Sequence, residues 1–323
     1  MPEILPQLQA NLGKGVKANE LLSLHTNFKI GGPAKYFFTA RTTDELIKAV
    51  QVADELKIPF MILGGGTNVL VSDSGFQGLV IEAKNHNLEI NGTQVTAEAG
   101  VSLGFLVQRS VAASLTGLEP LVAVPGTVGG AVYGNAGVPQ VARGFMGDWV
   151  KEVTVCRQDK VVKLTKEECN FSYRDSVFKH NNDIILSAVL ELAKGDKAES
   201  QELVKKYVQM RKSQPYHMPS SGCIFTNVPI TNVDEVRKKF KGEEKLEGFI
   251  SKGQLPSSWL IDQAGLKGKT IGGVQVSADH ANYLVNIGGA KAEDVLMMIS
   301  FVKQQVRDKF GFQLQEEVRY IGF

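Results

Sequence analysis

The stretch Val124-Pro-Gly-Thr-Val-Gly-Gly-Ala-Val-Tyr-Gly-Asn-Ala-Gly137 decides how the rest of the chain is read. It is rich in glycine and alanine, and glycine has no Cβ. Its backbone can therefore take positive φ and bring an N–H close to a bound group. A second run, Leu63-Gly-Gly-Gly-Thr-Asn-Val-Leu70, follows a short apolar segment. Two such loops in the first half of one chain predict an extended polyanionic cofactor held by successive backbone amides. Either run alone could equally serve a tight turn. Neither fits the dinucleotide fingerprint G-x-G-x-x-G, and neither closes with the Lys-Ser or Lys-Thr of a phosphate loop. A phosphate-bearing cofactor is expected; an ordinary Rossmann or ATP site is not.

Working outward, the spacing predicts a helix over 103–115, with Leu103, Leu106, Val107, Val111 and Leu115 on one side, that delivers the chain to this stretch. Upstream, residues 24–38 alternate as a strand on either side of the Gly31-Gly32-Pro33 turn. Thr42 and Thr43, followed by Asp44 and Glu45, open a helix whose apolar face carries Leu46, Val50, Ala53 and Leu56. Residues 59–63 read as a short buried strand ending at the first glycine run, and 79–82 as another. Asn91-Gly92 predicts a hairpin, because a type I′ turn needs positive φ at both central positions. A second hairpin over 149–164 turns near Gln158-Asp159, and 184–192 is a further strand. A domain rich in antiparallel sheet is expected.

Lys194-Gly195-Asp196 breaks that pattern, and 199–212 reads as a polar connecting helix. Pro215, Pro219, Pro229 and nearby glycines mark a hinge into a third unit. That unit has helices near 233–241 and 257–264, a strand at 283–286, and a long helix over 292–310. Gly311 stands where a C′ glycine belongs, and a closing strand over 314–321 follows. The fold class is α+β.

At 323 residues there is room for two or three domains. Hydrophobic residues at 43% and charged residues at 22% describe an ordinary globular protein. A net charge of +2 argues against a nucleic-acid surface as the main business. The N-terminal residues lack the basic and apolar regions of a secretory leader, and no segment approaches the roughly 20 apolar residues of a membrane span. Cys156, Cys169 and Cys223 are odd in number and lack metal-type spacing. A cytoplasmic protein without metal, nucleic-acid or membrane partner is expected.

Four segments could carry chemistry. Phe171-Ser-Tyr-Arg-Asp-Ser-Val-Phe178 sets Tyr173, Arg174 and Asp175 among apolar residues. An arginine flanked by aromatics is a rigid fork for a carboxylate or a developing oxyanion. A structural Arg174–Asp175 neighbourhood is the plainer alternative. Pro219-Ser-Ser-Gly-Cys-Ile-Phe-Thr-Asn227 presents a thiol at Cys223 and an amide at Asn227, although a lone cysteine before an apolar pair is more often a small buried hydrophobe. Arg211, Lys212, Gln214, Tyr216 and His217 form either a patch suited to a diphosphate and a ring or a solvated helix end. In Leu314-Gln-Glu-Glu-Val-Arg319, alternation puts Glu316 and Glu317 on opposite faces. One of them can point inward as an acid or charge stabiliser, and the spacing does not say which. Two exposed glutamates on an edge strand are the simpler alternative.

The motifs together resemble the UDP-N-acetylenolpyruvoylglucosamine reductases, the MurB flavoenzymes of peptidoglycan precursor synthesis. The resemblance runs through Thr26-Asn-Phe-Lys-Ile-Gly-Gly-Pro-Ala34, Leu63-Gly-Gly-Gly-Thr-Asn68, Pro125-Gly-Thr-Val-Gly-Gly-Ala131 and Tyr173-Arg-Asp-Ser176. It continues through Gly222-Cys-Ile-Phe225, Trp259-Leu-Ile-Asp-Gln263 with Gly265-Leu-Lys-Gly268, and Glu317-Val-Arg319. It implies a two-subdomain FAD-binding fold of the p-cresol methylhydroxylase/vanillyl-alcohol oxidase (PCMH/VAO) type over 1–200, with subdomains of about 1–84 and 85–200. An α+β substrate-binding domain over 201–323 would follow, its last strand returning to the active site. FAD would be held by Gly64, Gly65, Gly66, Thr67 and Asn68, with Pro125, Gly126, Thr127, Gly129 and Gly130.

The implied reaction moves hydride from NADPH, by way of the flavin, to the vinyl carbon of the UDP-sugar enol ether, giving UDP-N-acetylmuramate. The family's catalytic arginine, proton donor and glutamate fall on Arg174, Cys223 and Glu317, and Tyr173, Lys212 and Asn227 fall on the substrate side. Two positions depart from the family pattern. The proton-donating serine is Cys223, a conservative change of acid, and a substrate-binding lysine is Ser213, which leaves Lys212 or Arg211 to meet the substrate. A flavin oxidase of the same cofactor fold is the nearest alternative, but oxidation of an alcohol needs a base where this chain has a placed acid. A nucleotide-sugar binder without catalysis is the alternative from another class. Oligomeric state is left open.

Overall fold

The computed structural model describes residues 4–139, 141, 144–211, 214–215 and 217–323. Two compact units divide the chain: Met1–Leu21, Pro33–Gly66 and Gly75–Lys212 form the first, and Leu22–Gly32, Thr67–Ser74 and Ser213–Phe323 the second.

In the first unit, one sheet runs in the order Lys17–Leu21, Pro33–Ala40, Phe76–Ala83, Phe60–Leu63. Pro33–Ala40 and Phe60–Leu63 both lie parallel to Phe76–Ala83, and helix Thr43–Glu55 lies between them in the chain. Thr42 starts that helix, its Oγ1 accepting from Glu45 N at 3.1 Å. A strand covered on both faces reads as a continuous apolar run, and Leu79, Val80 and Ile81 are each fully buried. A second, antiparallel sheet has the order Lys160–Thr165, Val150–Arg157, Ile184–Glu191, Gln94–Glu98, Leu88–Asn91. The hairpin turns at Gln158-Asp159 as expected, and positive φ at both residues (48° and 63°) makes the turn type I′. The other hairpin turns one residue later than expected. Asn91 pairs with Gln94, so Gly92-Thr93 form the loop, and Gly92 alone is at positive φ (62°), the type II′ pattern. One apolar cluster gathers Leu8, Leu46, Leu79 and Ile81, and the other gathers Val95, Leu106, Trp149, Val153 and Leu190.

Two further expectations in this region are corrected. Residues 24–30 form no strand; the antiparallel partner of Pro33–Ala40 is Lys17–Leu21, whose side chains are mostly exposed and so gave no alternating signal. The glycine stretch is in part a helix, Val128–Gly134, because Val128, Ala131 and Val132 share a buried face that outweighs poor propensity.

Helix Lys197–Arg211 buries only Ser200 among its described residues, yet it is pinned at both ends. Ser200 Oγ donates to Glu119 Oε1 at 2.6 Å, and Arg211 Nη1 donates to the Ala123 carbonyl. Glu119 is 2% exposed and also accepts from Thr116 Oγ1 and Gly117 N, both at 2.7 Å. Burial alone would raise its pKa; the bonds from Ser200, Thr116 and the backbone outweigh burial and hold it below the ordinary 4.5. The folded state therefore binds this proton less well than the unfolded chain does. The stabilisation is complete above the ordinary carboxyl range and is lost as pH falls through the folded value. Glu119→Gln is expected to destabilise the protein at neutral pH by about 1–3 kcal/mol. Melting curves across acidic pH should show that gap closing, and a gap unchanged in acid would count against this account.

The second unit has an antiparallel sheet in the order Ser220–Cys223, Tyr283–Asn286, Val274–Val276, Thr270–Ile271. Helix Ala292–Phe310 covers it with Val295, Met298, Ile299, Val302 and Val306, and ends at Gly311 (φ 75°). The Asp73 carboxylate accepts from Ala292 N at 2.9 Å and Glu293 N at 3.3 Å at the helix start. Phe28, Ile30 and Leu70, from the two early segments, share a core with Ile224, Leu260, Val302 and Leu314. The closing strand is shorter than expected: Arg319–Ile321 pairs in parallel with Val69–Val71. Residues 314–318 instead run beside 224–226 through the single bridge Phe225–Glu316, because Thr226 N and Glu317 N take the carbonyls of Gln315 and Ile224. Among the described residues no helix is long and apolar enough to cross a membrane.

Candidate active site

The two glycine runs meet in the first unit. A Cβ on Gly64 would stand 2.7 Å from Thr127 Oγ1, so the loops touch at this pair. Gly66 (φ 61°) and Gly126 (φ 127°) occupy conformations that glycine takes without strain. Among the described residues, the amides of Gly64, Gly65, Gly66 and Gly126 have no protein acceptor. Val128 N and Gly129 N donate to Val101 O and Ala99 O, both at 2.8 Å, and Gly130 N donates to Thr127 Oγ1 at 3.3 Å. The available donors thus sit on the first loop and at Gly126, which fits a pyrophosphate. Gly129 and Gly130, with their amides engaged, contribute shape.

The two loops predict different failures. Gly64→Val is expected to push Thr127 off its cap and open the loop pair, giving protein with little flavin and a flavin-free melting temperature lowered only by the lost cap, worth about 0.5–2 kcal/mol. Gly129→Val would meet Ala99 Cβ at 2.9 Å and Ala99 O at 3.2 Å. Overpacking of that kind costs about 1–3 kcal/mol and should lower the melting temperature of the flavin-free protein as well. Fully yellow Gly64→Val protein would place the cradle elsewhere.

Tyr173 and Arg174 are the two tip residues of a turn closed by Ser172 N to Asp175 O (3.1 Å) and Asp175 N to Ser172 O (3.2 Å). Arg174 has φ 57°, a left-handed conformation worth about 1–3 kcal/mol of strain in a non-glycine residue. Its surroundings hold it there. Lys179 Nζ donates to the Arg174 carbonyl at 2.6 Å, and Arg174 Nη1 donates to Gly137 O at 3.2 Å. The guanidinium lies 5.6 Å from the ring centroids of both Phe145 and Tyr173. Asp175 pairs with His180 at 2.9 Å. Partial burial would raise its pKa, but the His180 bond and nearby positive charge hold the carboxyl below its ordinary range. Asp175 thus serves His180, and the arginine fork is built from aromatic faces and a carbonyl.

In the second unit, Cys223 ends its strand as a half-buried thiol in register with Tyr283, whose OH donates to Gln214 Oε1 at 3.0 Å. Glu317 N donates to the carbonyl of Ile224, next to Cys223, at 2.7 Å, and Asn68 Nδ2 donates to Glu317 O at 3.2 Å. Cys223, Glu317 and Asn68 are therefore neighbours. Lys303 of the long helix holds Glu316 at 2.8 and 3.0 Å, which gives that carboxylate a structural partner. Asn227 donates from Nδ2 to Gln254 Oε1 at 3.3 Å and accepts from Ser257 N at 3.4 Å. Thr67 belongs with Asn68 to the second unit, and Gly64, Gly65 and Gly66 to the first. Lys212, Ser213 and Tyr216 lie outside the described residues. The residues that sequence reasoning missed are Asn135 and Phe145, which support the arginine turn. Asn135 follows Gly134 as a left-handed helix cap, a signal hidden while the stretch was read as loop.

A family model for an FAD binding domain matches residues 34–164, and one for the C-terminal domain of UDP-N-acetylenolpyruvoylglucosamine reductase matches 214–321. With the paired glycine loops, these define an α+β flavin-binding oxidoreductase with a second, family-specific domain. The UDP-N-acetylenolpyruvoylglucosamine reductase of Anoxybacillus flavithermus is 40% identical over 321 residues, covering 98% of this chain and 97% of the relative. That of Caldanaerobacter subterraneus subsp. tengcongensis is 36% identical over 328 residues, 100% of this chain and 99% of the relative. The crystal structure of the Thermus caldophilus enzyme aligns with TM-score 0.73 at 31% identity, covering 93% of this chain and 97% of that one. The chain belongs to the UDP-N-acetylenolpyruvoylglucosamine reductase (MurB) family.

Proposed function

We propose that this chain reduces UDP-N-acetylenolpyruvoylglucosamine to UDP-N-acetylmuramate, with FAD as cofactor and NADPH as electron donor, in cytoplasmic synthesis of peptidoglycan precursors. The observation that carries the reading is likeness over the full length of the reductases, at 40% identity to one of them. The amides of Gly64, Gly65, Gly66 and Gly126 would hold the FAD pyrophosphate. The chemistry that bound FAD supplies is two-electron transfer from a nicotinamide to the substrate's vinyl group.

The chain's own residues govern charge and protons. As the vinyl terminus is reduced, negative charge grows on the adjacent carbon and spreads into its carboxylate. The Arg174 guanidinium, fixed before the substrate arrives, stabilises that charge without reorganising. Glu317 polarises the same carboxylate. Cys223 Sγ delivers its proton to the carbanionic carbon, which completes the saturated lactyl ether. Tyr173 and Asn227 shape the substrate side.

Anaerobic addition of NADPH to the purified yellow protein should bleach it, and the enolpyruvyl UDP-sugar should restore the colour. Bleaching by simple alcohols with rapid recovery in oxygen would instead make the protein an oxidase.

A further inference from the structure

The glycine stretch holds one side chain that this scheme leaves unused. Asn135 ends helix Val128–Gly134 in the left-handed conformation (φ 41°, ψ 55°) and is 6% exposed. Its Oδ1 accepts from Gly147 N at 2.8 Å, and its Nδ2 donates to the Ser172 carbonyl at 2.7 Å. Ser172 is the base of the turn whose tip is Tyr173-Arg174. Gly147 stands two residues after Phe145, whose ring lies beside the guanidinium. One carboxamide thus ties down both the backbone that carries the arginine and the segment that carries its aromatic support. Capping alone does not need this, since glycine is the usual residue at a left-handed helix end.

We propose that Asn135 is the positioning residue for Arg174: it holds the strained turn so that the guanidinium is pre-set for the substrate carboxylate. The proposal rests on the reading of Arg174 given above. The carbonyl of Ser172 also accepts the turn-closing bond from Asp175 N, so the Asn135 donor and the turn act on one oxygen. Losing that donor frees the turn to relax away from φ 57° at Arg174.

Two substitutions separate positioning from packing. Asn135→Gly keeps the left-handed cap and removes both side-chain bonds. Asn135→Asp keeps the shape, the cap and the acceptor for Gly147 N, but its ionised form turns a bare oxygen toward the Ser172 carbonyl. Both proteins are expected to retain flavin and to oxidise NADPH at the wild-type rate. Reduction of the enolpyruvyl substrate should fall about 10²-fold in mildly alkaline buffer, the scale of loss for a catalytic group misplaced by an ångström.

The aspartate should then recover as pH falls, because its protonated carboxyl can donate to Ser172 again. Burial against a carbonyl raises its pKa and brings the recovery into a workable range. Asn135→Gly should not recover. Asp148, which accepts from Phe145 N, and Tyr173, Arg174, Asp175, Lys179 and His180 at and beside the turn are common to all the proteins, so each rate is taken relative to wild type at the same pH. In an Arg174→Ala background, Asn135→Gly should cause little further loss in substrate reduction or in substrate affinity read from the flavin spectrum.

If Arg174→Ala alone reduces substrate normally, the assignment of Arg174 fails and the proposal fails with it. If Arg174→Ala is crippled while both Asn135 variants work at the wild-type rate, the positioning role alone is overturned. Absence of acid recovery in Asn135→Asp, or flavin loss from both variants, overturns it too, since Asn135 would then be packing or cradle.

Discussion

Arg174→Ala is expected to leave flavin content and NADPH oxidation near wild type while slowing reduction of the enolpyruvyl substrate by about 10²–10³-fold, the usual loss when a preorganised charge partner is removed. The separation follows from where the residue sits. Its guanidinium is bound to Gly137 O, at the opposite end of the Val124–Gly137 stretch from Gly126, and is framed by Phe145 and Tyr173; none of these is among the available amides of Gly64, Gly65, Gly66 and Gly126. Arg174→Lys keeps the charge but loses the planar fork and the ring contacts, so it should recover only part of the rate. Glu317→Gln is nearly isosteric and leaves the backbone bonds to Ile224 and Asn68 in place. It should slow the same step and spare the other. Stopped-flow traces in which either variant loses both steps equally would remove these two residues from substrate reduction and make them part of the cofactor site.

What the sequence made legible was local. The helix Ala292–Phe310 and its Gly311 stop follow from apolar spacing and a C′ glycine, and both depend on near neighbours in the chain. The same holds for the Gln158-Asp159 turn. What stayed hidden depends on distant partners. Lys17–Leu21 is a strand only because Pro33–Ala40 pairs with it, and its exposed side chains carry no alternation. Residues 22–32 and 67–74 lie in the sequence among the elements of the first unit, and 24–30 even read as one of its strands, yet Phe28, Ile30 and Leu70 complete the core of the second. Of the candidate site, the resemblance named motif residues but none of their supports. Alternation left Glu316 and Glu317 equivalent, and the difference comes from Lys303 on another element. Asn135 works through segments more than ten residues away, which no local pattern records.

On the proposed reading Cys223 stands where the family pattern has a serine, and a thiol in that role has a measurable consequence. Cys223 is half-buried at the end of its strand, whereas Cys156 and Cys169 are buried, so it is the thiol expected to meet a small reagent first. A thiol ordinarily ionises near a pKa of roughly 8.5, whereas an alcohol stays protonated throughout the working range, so only the thiol can stop being an acid as pH rises. Proton delivery to the carbanion needs the S–H form. Substrate reduction should therefore decline on the alkaline side in step with thiol ionisation, while NADPH oxidation does not. Cys223→Ser is expected to keep substantial activity and to flatten that alkaline limb. Cys223→Ala should retain flavin and NADPH oxidation and lose about 10²–10⁴-fold in substrate reduction, the range for a missing general acid. Alkylation of the wild type with iodoacetamide should reproduce the alanine phenotype and should be faster at alkaline pH, because the thiolate is the nucleophile. Alkylation of Cys223→Ala protein serves as the control for Cys156 and Cys169, both buried, the latter with its pKa pushed up to about 12 by burial. If Cys223→Ala reduces the enolpyruvyl substrate at the wild-type rate across pH, the thiol is a packing residue and the proton comes from another group or from water.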